Sequence, residues 1–115
     1  MTNKEAIQKW ADALRFEDIK QTRECLAGAL DGQPLAFCAM GVACKEYAEL
    51  NGINFWEAAA DSEGIGNNAT VPDRILDWLG ITCDESYLVI QMNDEVMLSL
   101  PEIGQWVADN LLKEE

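Results

Sequence analysis

The chain has 115 residues, enough for one domain that buries roughly two-thirds of its unfolded surface, so a core needs neither a disulfide nor a metal. Histidine is absent, which removes Ser-His and Cys-His nucleophile pairs, histidine-zinc hydrolases and His-dependent deaminases. The net charge of -13 is lopsided: residues 1–50 hold six basic and eight acidic residues, residues 51–115 two basic and thirteen acidic.

Such a field disfavours direct nucleic-acid binding, which needs cationic contacts to phosphate, and suits solubility or attraction to a basic partner. No run of 18 apolar residues offers a membrane span, and the N-terminus lacks the apolar stretch of a secretory signal. The expected setting is therefore the cytoplasm. There the four cysteines, Cys25, Cys38, Cys44 and Cys83, are expected as reduced thiols, a Cys25–Cys38 bridge across a hairpin being the one alternative.

In chain order, Thr2-Asn3-Lys4-Glu5 has the Thr-x-x-Glu form of a capping box. Ile7, Trp10, Ala11 and Leu14 then share one face, predicting a helix from about Asn3 to Arg15 with Trp10 as a core anchor. Beyond Phe16 the pattern breaks, and Thr22–Leu30 and Pro34–Ala39 flank Asp31-Gly32-Gln33. Asp-Gly is a turn signal, so a short hairpin fits, although Ala27, Ala29 and Leu30 also suit a helical turn.

From Met40 to Leu50 the stripe Met40, Ala43, Cys44, Tyr47, Ala48 predicts a helix whose Cys44 lies in the core and whose Lys45, Glu46 and Glu49 lie off it. Asn51-Gly52 stops it. Residues 53–60 suit a short helical turn, and residues 61–68 a surface loop. Thr70 as hydroxyl cap, Pro72 in the first turn and Asp73 start another helix, with Ile75, Leu76 and Leu79 inward, Trp78 at the edge of the stripe and Gly80 at its end. Tyr87–Met92 is continuously apolar and short, so strand and helix remain balanced. Ser99-Leu100-Pro101-Glu102 is a second capping box, opening a terminal helix with Leu100, Ile103, Trp106, Val107 and Leu111 inward and Lys113 near its end. The fold class is mostly α (α+β): one domain, residues 1–115, of four to five helices with a short β-hairpin.

Candidate chemistry is sparse. No Cys-x-x-Cys spacing supports zinc, and Cys38 and Cys44 diverge by about 120° if both are helical. Cys38 is the thiol to test for reactivity, because a helix N-terminus beside it would lower its pKa. Asn93-Asp94-Glu95 with Asp84-Glu85 gathers oxygen atoms without the spacing of an EF-hand and reads first as a turn. The acid pairs Asp61/Glu63 and Asp73/Asp77 are expected by chance in so acidic a chain, and Gly64-x-Gly66 lacks the setting of a nucleotide loop. No cofactor and no catalytic residue is assigned.

Several landmarks stand in order: Trp10-Ala11-Asp12-Ala13-Leu14, Gln21 with Arg23, Phe37-Cys38-Ala39-Met40-Gly41-Val42-Ala43-Cys44, Val71-Pro72, Trp78-Leu79-Gly80, Met92-Asn93-Asp94 and Leu100-Pro101-Glu102-Ile103. In this the chain resembles a family of small uncharacterised proteins encoded by tailed bacteriophages. Family members more often have leucine at the place of Met40, and residues 53–69 match no part of the pattern. The resemblance implies a phage accessory protein working in the bacterial cytoplasm, and it brings no catalytic residues. Gln21, Asn93 and Asp94 match its polar landmarks and are the candidate binding residues, as turn-formers or as contacts.

The expected function is a non-enzymatic module that binds a host or phage protein, a basic one suiting its charge, a sharper variant being a charge mimic of nucleic acid. The alternatives are a small metal-assisted hydrolase centred on Asp94 and a protein that sequesters a small ligand.

Overall fold

The computed structural model describes residues 2–30, 33–60 and 70–112. Within them lie six helices and one two-stranded antiparallel sheet: α1 (Asn3–Phe16), β1 (Ala27–Leu30), β2 (Gln33–Phe37), α2 (Ala39–Asn51), α3 (Phe55–Ala58), α4 (Asp73–Leu79), α5 (Cys83–Asp94) and α6 (Leu100–Asn110). The fold class is the expected α+β, predominantly helical.

Helix α1 starts at the Thr2/Glu5 capping box, with both reciprocal bonds formed, and carries Ala6, Ile7, Trp10, Ala11, Ala13 and Leu14 into the core. Trp10 is wholly buried, and its Nε1–H donates to Ala39 O at 2.9 Å, tying α1 to the first residue of α2. Against its other side lies α6, in close approach: a Cβ on Gly104 would stand 2.6 Å from Arg15 Cγ and 2.8 Å from Leu14 Cβ. Only a residue without a side chain permits that spacing.

The hairpin forms where the turn signal placed it, although Asp31 and Gly32 themselves lie outside the described residues. Ala27 pairs with Phe37, and the register slips between Gly28 and Ala29. Strand β1 is shorter than Thr22–Leu30. Residues 20–22 instead run beside β2, with Thr22 N donating to Phe37 O and Phe37 N to Lys20 O.

Helix α2 ends at Gly52 in the left-handed region (φ 66°), as Asn51-Gly52 predicts. Its face assignments need one correction. Cys44 is fully buried, but so is Glu46, expected off the stripe. Residues 39–44 are buried on every side, and a helix apolar all round in its first two turns is enclosed there, so its buried arc is wider than one stripe.

Two more expectations change. Helix α4 is capped by Pro72, which offers no side-chain bond, so Thr70 is not its hydroxyl cap. It ends at Gly80 in the left-handed region, as expected, and Asn3 caps it further, its Nδ2 donating to Asp77 O and Trp78 O at 2.9 and 2.8 Å. The balance over Tyr87–Met92 resolves to helix, nucleated upstream by a Thr82/Glu85 capping box. Asn93 and Asp94 therefore stand in the last turn of α5, not in a surface turn. Helix α6 begins at the predicted Ser99/Glu102 box; the loop at 61–68 and Lys113 lie outside the described residues.

Candidate functional site

The end of α5 faces the extended segment that precedes β1, and a polar cluster forms between them. Asn93 is buried, with 1% of its surface exposed. Its Oδ1 accepts from Gln21 Nε2 at 2.9 Å and from Ala39 N at 3.1 Å. Its Nδ2 donates to Thr22 O at 3.0 Å and to Asp94 Oδ1 at 2.7 Å. Both amide hydrogens and both oxygen lone pairs are thus engaged.

Neighbouring groups extend the cluster on both sides. Gln21 Nε2 also donates to Leu98 O at 2.9 Å, Arg23 Nε to Asn93 O at 2.9 Å, and Arg23 Nη2 to Met97 O at 3.5 Å. Asp94 Oδ1 accepts from Glu24 N at 2.9 Å. Two non-glycine residues in the left-handed region flank it, Glu24 (φ 66°) and Met97 (φ 64°), each held by the bonds of the cluster. Gln21, Asn93 and Asp94, three landmarks separated by some seventy positions, are therefore brought into one clasp. Arg23 is its fourth member.

Cys38 adjoins this clasp as the N-cap of α2, its Sγ accepting from Gly41 N at 3.3 Å. Its pKa moves opposite to the sequence expectation. Burial pushes the thiol up to about 11, outweighing the Gly41 and Met40 N–H groups that favour thiolate; the charge of Asp94 and the neighbouring Cys25 add to the rise. A protonated, enclosed sulfur is a cap, not a nucleophile. The four cysteines are free, and Cys38 N donates to Leu26 O, so Cys25 is not its cross-strand partner.

A second cluster escaped the sequence reading. The Glu46 carboxyl sits 3.2 Å from Lys45 Nζ and 3.8 Å from Lys9 Nζ, and hydrogen-bonds Glu17. Lys45 Nζ also reaches Glu17 at 3.1 Å and Glu49 at 2.8 Å. Burial and the Glu17 hydrogen bond raise the Glu46 pKa. For Glu17 burial acts in the same upward sense, but the hydrogen bonds of Glu46 and Lys45 prevail and lower it. Glu46 lines a recess of about 550 Å³ together with Glu5, Gln8, Lys9, Asp12 and Phe16 of α1. The only sequence signal for it was the apolar ring of residues 39–44, which encloses whatever follows.

Among the described residues, no three Cys, Asp or Glu side chains converge in a way that could hold a metal ion. Fold and clasp together define a small helical α+β domain whose most ordered polar groups are taken up in tying its own segments together. The chain belongs to the family described as "Domain of unknown function (DUF8296)", which it matches over residues 2–110. No curated protein and no solved structure gives a significant match.

Proposed function

We propose that this is a small acidic, non-enzymatic protein-binding module, a tailed-bacteriophage accessory protein that engages a basic host or phage protein in the host cytoplasm. The observation that carries the reading is the charge asymmetry, thirteen acidic against two basic residues over 51–115. A one-signed surface accelerates encounter with a partner of opposite sign and repels nucleic acid and anionic lipid. The saturated hydrogen bonding of Asn93 is consistent with a scaffold role for the clasp. Phage origin and the cytoplasmic setting rest on the ordered landmarks of the sequence.

The test is recovery of partners from bacterial lysate at low and at high salt. A basic protein retained at low salt and released as the Debye length shrinks from about 10 Å at 0.1 M to about 3 Å at 1 M is the expected result. Recovery of nothing at low salt overturns the reading. In the sharper variant, mimicry of nucleic-acid charge, the recovered partner loses its DNA when the protein is added; unchanged DNA binding by every partner excludes it.

Sequestration of a small ligand has one observation in its favour, the recess of about 550 Å³ beside Glu46, a size within the range of ligand pockets. Its lining charges already have partners, Glu46 in Lys9, Asp12 in Arg15 and Glu17 in Lys45, which leaves it the weaker reading. Metal-assisted hydrolysis at Asp94 has less support, since Asp94 Oδ1 already accepts from Glu24 N and Asn93 Nδ2.

A further inference from the structure

Helix α5 buries only Ser86, Val89 and Asn93. Its opposite side carries Asp84, Tyr87, Leu88, Gln91 and Glu95 at helical i, i+3 and i+4 spacing. Of the seven large hydrophobic residues exposed among the described residues, four belong to this helix and the turn after it: Tyr87, Leu88, Val96 and Met97, the last two more than half exposed at 63% and 60%. Exposed apolar side chains gathered on one helix and the turn after it, with acidic residues between them, mark a contact surface.

The presentation is rigid. Val96 N donates to Gln91 O and Leu98 N to Met92 O, both at 2.9 Å, and Arg23 Nη2 reaches Met97 O. Met97 keeps a left-handed backbone where glycine or asparagine would turn at less cost. A backbone held in place before contact loses little entropy on binding, and methionine adapts its shape to a range of partners.

Charge decides what covers it. From Ile75 to Leu112 the chain contains no lysine or arginine, the exposed apolar residues are interspersed with Asp84, Glu85, Asp94 and Glu95, and the one cation at Met97, Arg23, is taken up by Asn93 O and Met97 O. A second copy would bring like charges face to face, and an anionic membrane or nucleic acid would be repelled. A helix of 12 residues spans about 18 Å, the length of three turns of a partner helix.

We propose that the outward face of α5 and its following turn, Tyr87, Leu88, Val96 and Met97 interspersed with Asp84, Glu85 and Glu95, is a docking surface for a basic amphipathic helix of a protein partner. The proposal rests on the protein-binding reading and adds the place and the chemistry of the contact.

The probe is a synthetic helical peptide with leucine on one face and lysine on the other, titrated into the isotopically labelled full chain, with poly-lysine of equal charge as control. Amide shifts concentrated over residues 84–97 are expected. The Leu88→Ser/Met97→Ser double variant, which alters exposed side chains only, is expected to weaken the peptide at least tenfold and leave poly-lysine unchanged. Equal affinity of variant and parent, or shifts spread over the acidic surface, overturns the docking site while salt-sensitive recovery of a basic partner still stands. A concentration-dependent dimer abolished by the double variant, or its loss of binding to phosphatidylserine vesicles, also overturns it by naming a different occupant.

Discussion

Asn93, in the last turn of α5, accepts the backbone N–H of Ala39, the first residue of α2, across 54 positions of sequence. A helix N-terminus leaves its first N–H groups without intrahelical partners, and here a distant amide satisfies one while Cys38 Sγ satisfies another. Asn93→Ala strips four hydrogen bonds and orphans buried donors and acceptors. The expected cost is about 3 kcal/mol of unfolding free energy, read from the urea midpoint at unchanged m-value. Asn93→Asp, which sets an acceptor against Thr22 O and Asp94 Oδ1, is expected to cost more at neutral pH than at acid pH, where the new carboxyl can donate.

Gly41 of α2 stands against the backbone of Leu26, whose carbonyl oxygen would lie 1.8 Å from an added Cβ. A main-chain atom cannot step aside as a side-chain end can. Gly41→Ala is therefore expected to cost about 3 kcal/mol, at the upper end of overpacking, despite the better helix propensity of alanine. A stability equal to or above the parent would show that the backbone at Leu26 yields.

The carboxyl pair sets a pH signature. Glu46, raised above its ordinary 4.5, contributes stability that is full below that value and is lost as pH rises through its folded pKa. Glu17, lowered, contributes stability present above 4.5 and lost as pH falls through its folded pKa. The pair is therefore worth most near the ordinary carboxylate value. Glu46→Gln keeps a donor for Glu17 without the buried charge, so its stability relative to the parent is expected to climb between acid and slightly alkaline pH. Thermal melts of both proteins across that range check the sign.

Burial pushes the thiols of Cys38 and Cys44 up to about 11 and about 12, which at neutral pH leaves about one Cys38 in ten thousand as thiolate. Cys83 is exposed at the start of α5. A disulfide reagent is expected to label Cys83 at once and Cys38 and Cys44 only on unfolding. Rapid labelling of Cys38 in the native protein would restore it as a reactive site.

Met97→Gly separates the cost of the turn from the use of its side chain. Relief of the left-handed backbone is expected to raise stability by roughly 1 kcal/mol, while affinity for the leucine-lysine peptide falls. Lower stability would mean that the Met97 side chain supports the fold.

The helix starts at Thr2 and Ser99 and the stop at Gly52 were legible because each is a local device, complete within a few residues. Helix α5 was not, because its capping box at Thr82 lies upstream of the apolar run that drew attention. The polar landmarks Gln21, Asn93 and Asp94 stood out as residues, but their convergence is a tertiary fact that no spacing encodes. Glu46 was read by helical period alone, and period fails where a helix is enclosed on all sides.

The clasp also orders events in time. Residues 21–24 bond to residues 93–98, and the start of α2 waits for the same asparagine. A nascent chain stopped short of Asn93 holds α1, the hairpin and α2 with the N–H of Ala39 and the carbonyl of Thr22 still without those bonds. Loops of 54 and 71 residues must close before they are satisfied, so local helices form early and the domain locks late. For a protein made on a ribosome, the native state is completed only after α5 has cleared the exit tunnel.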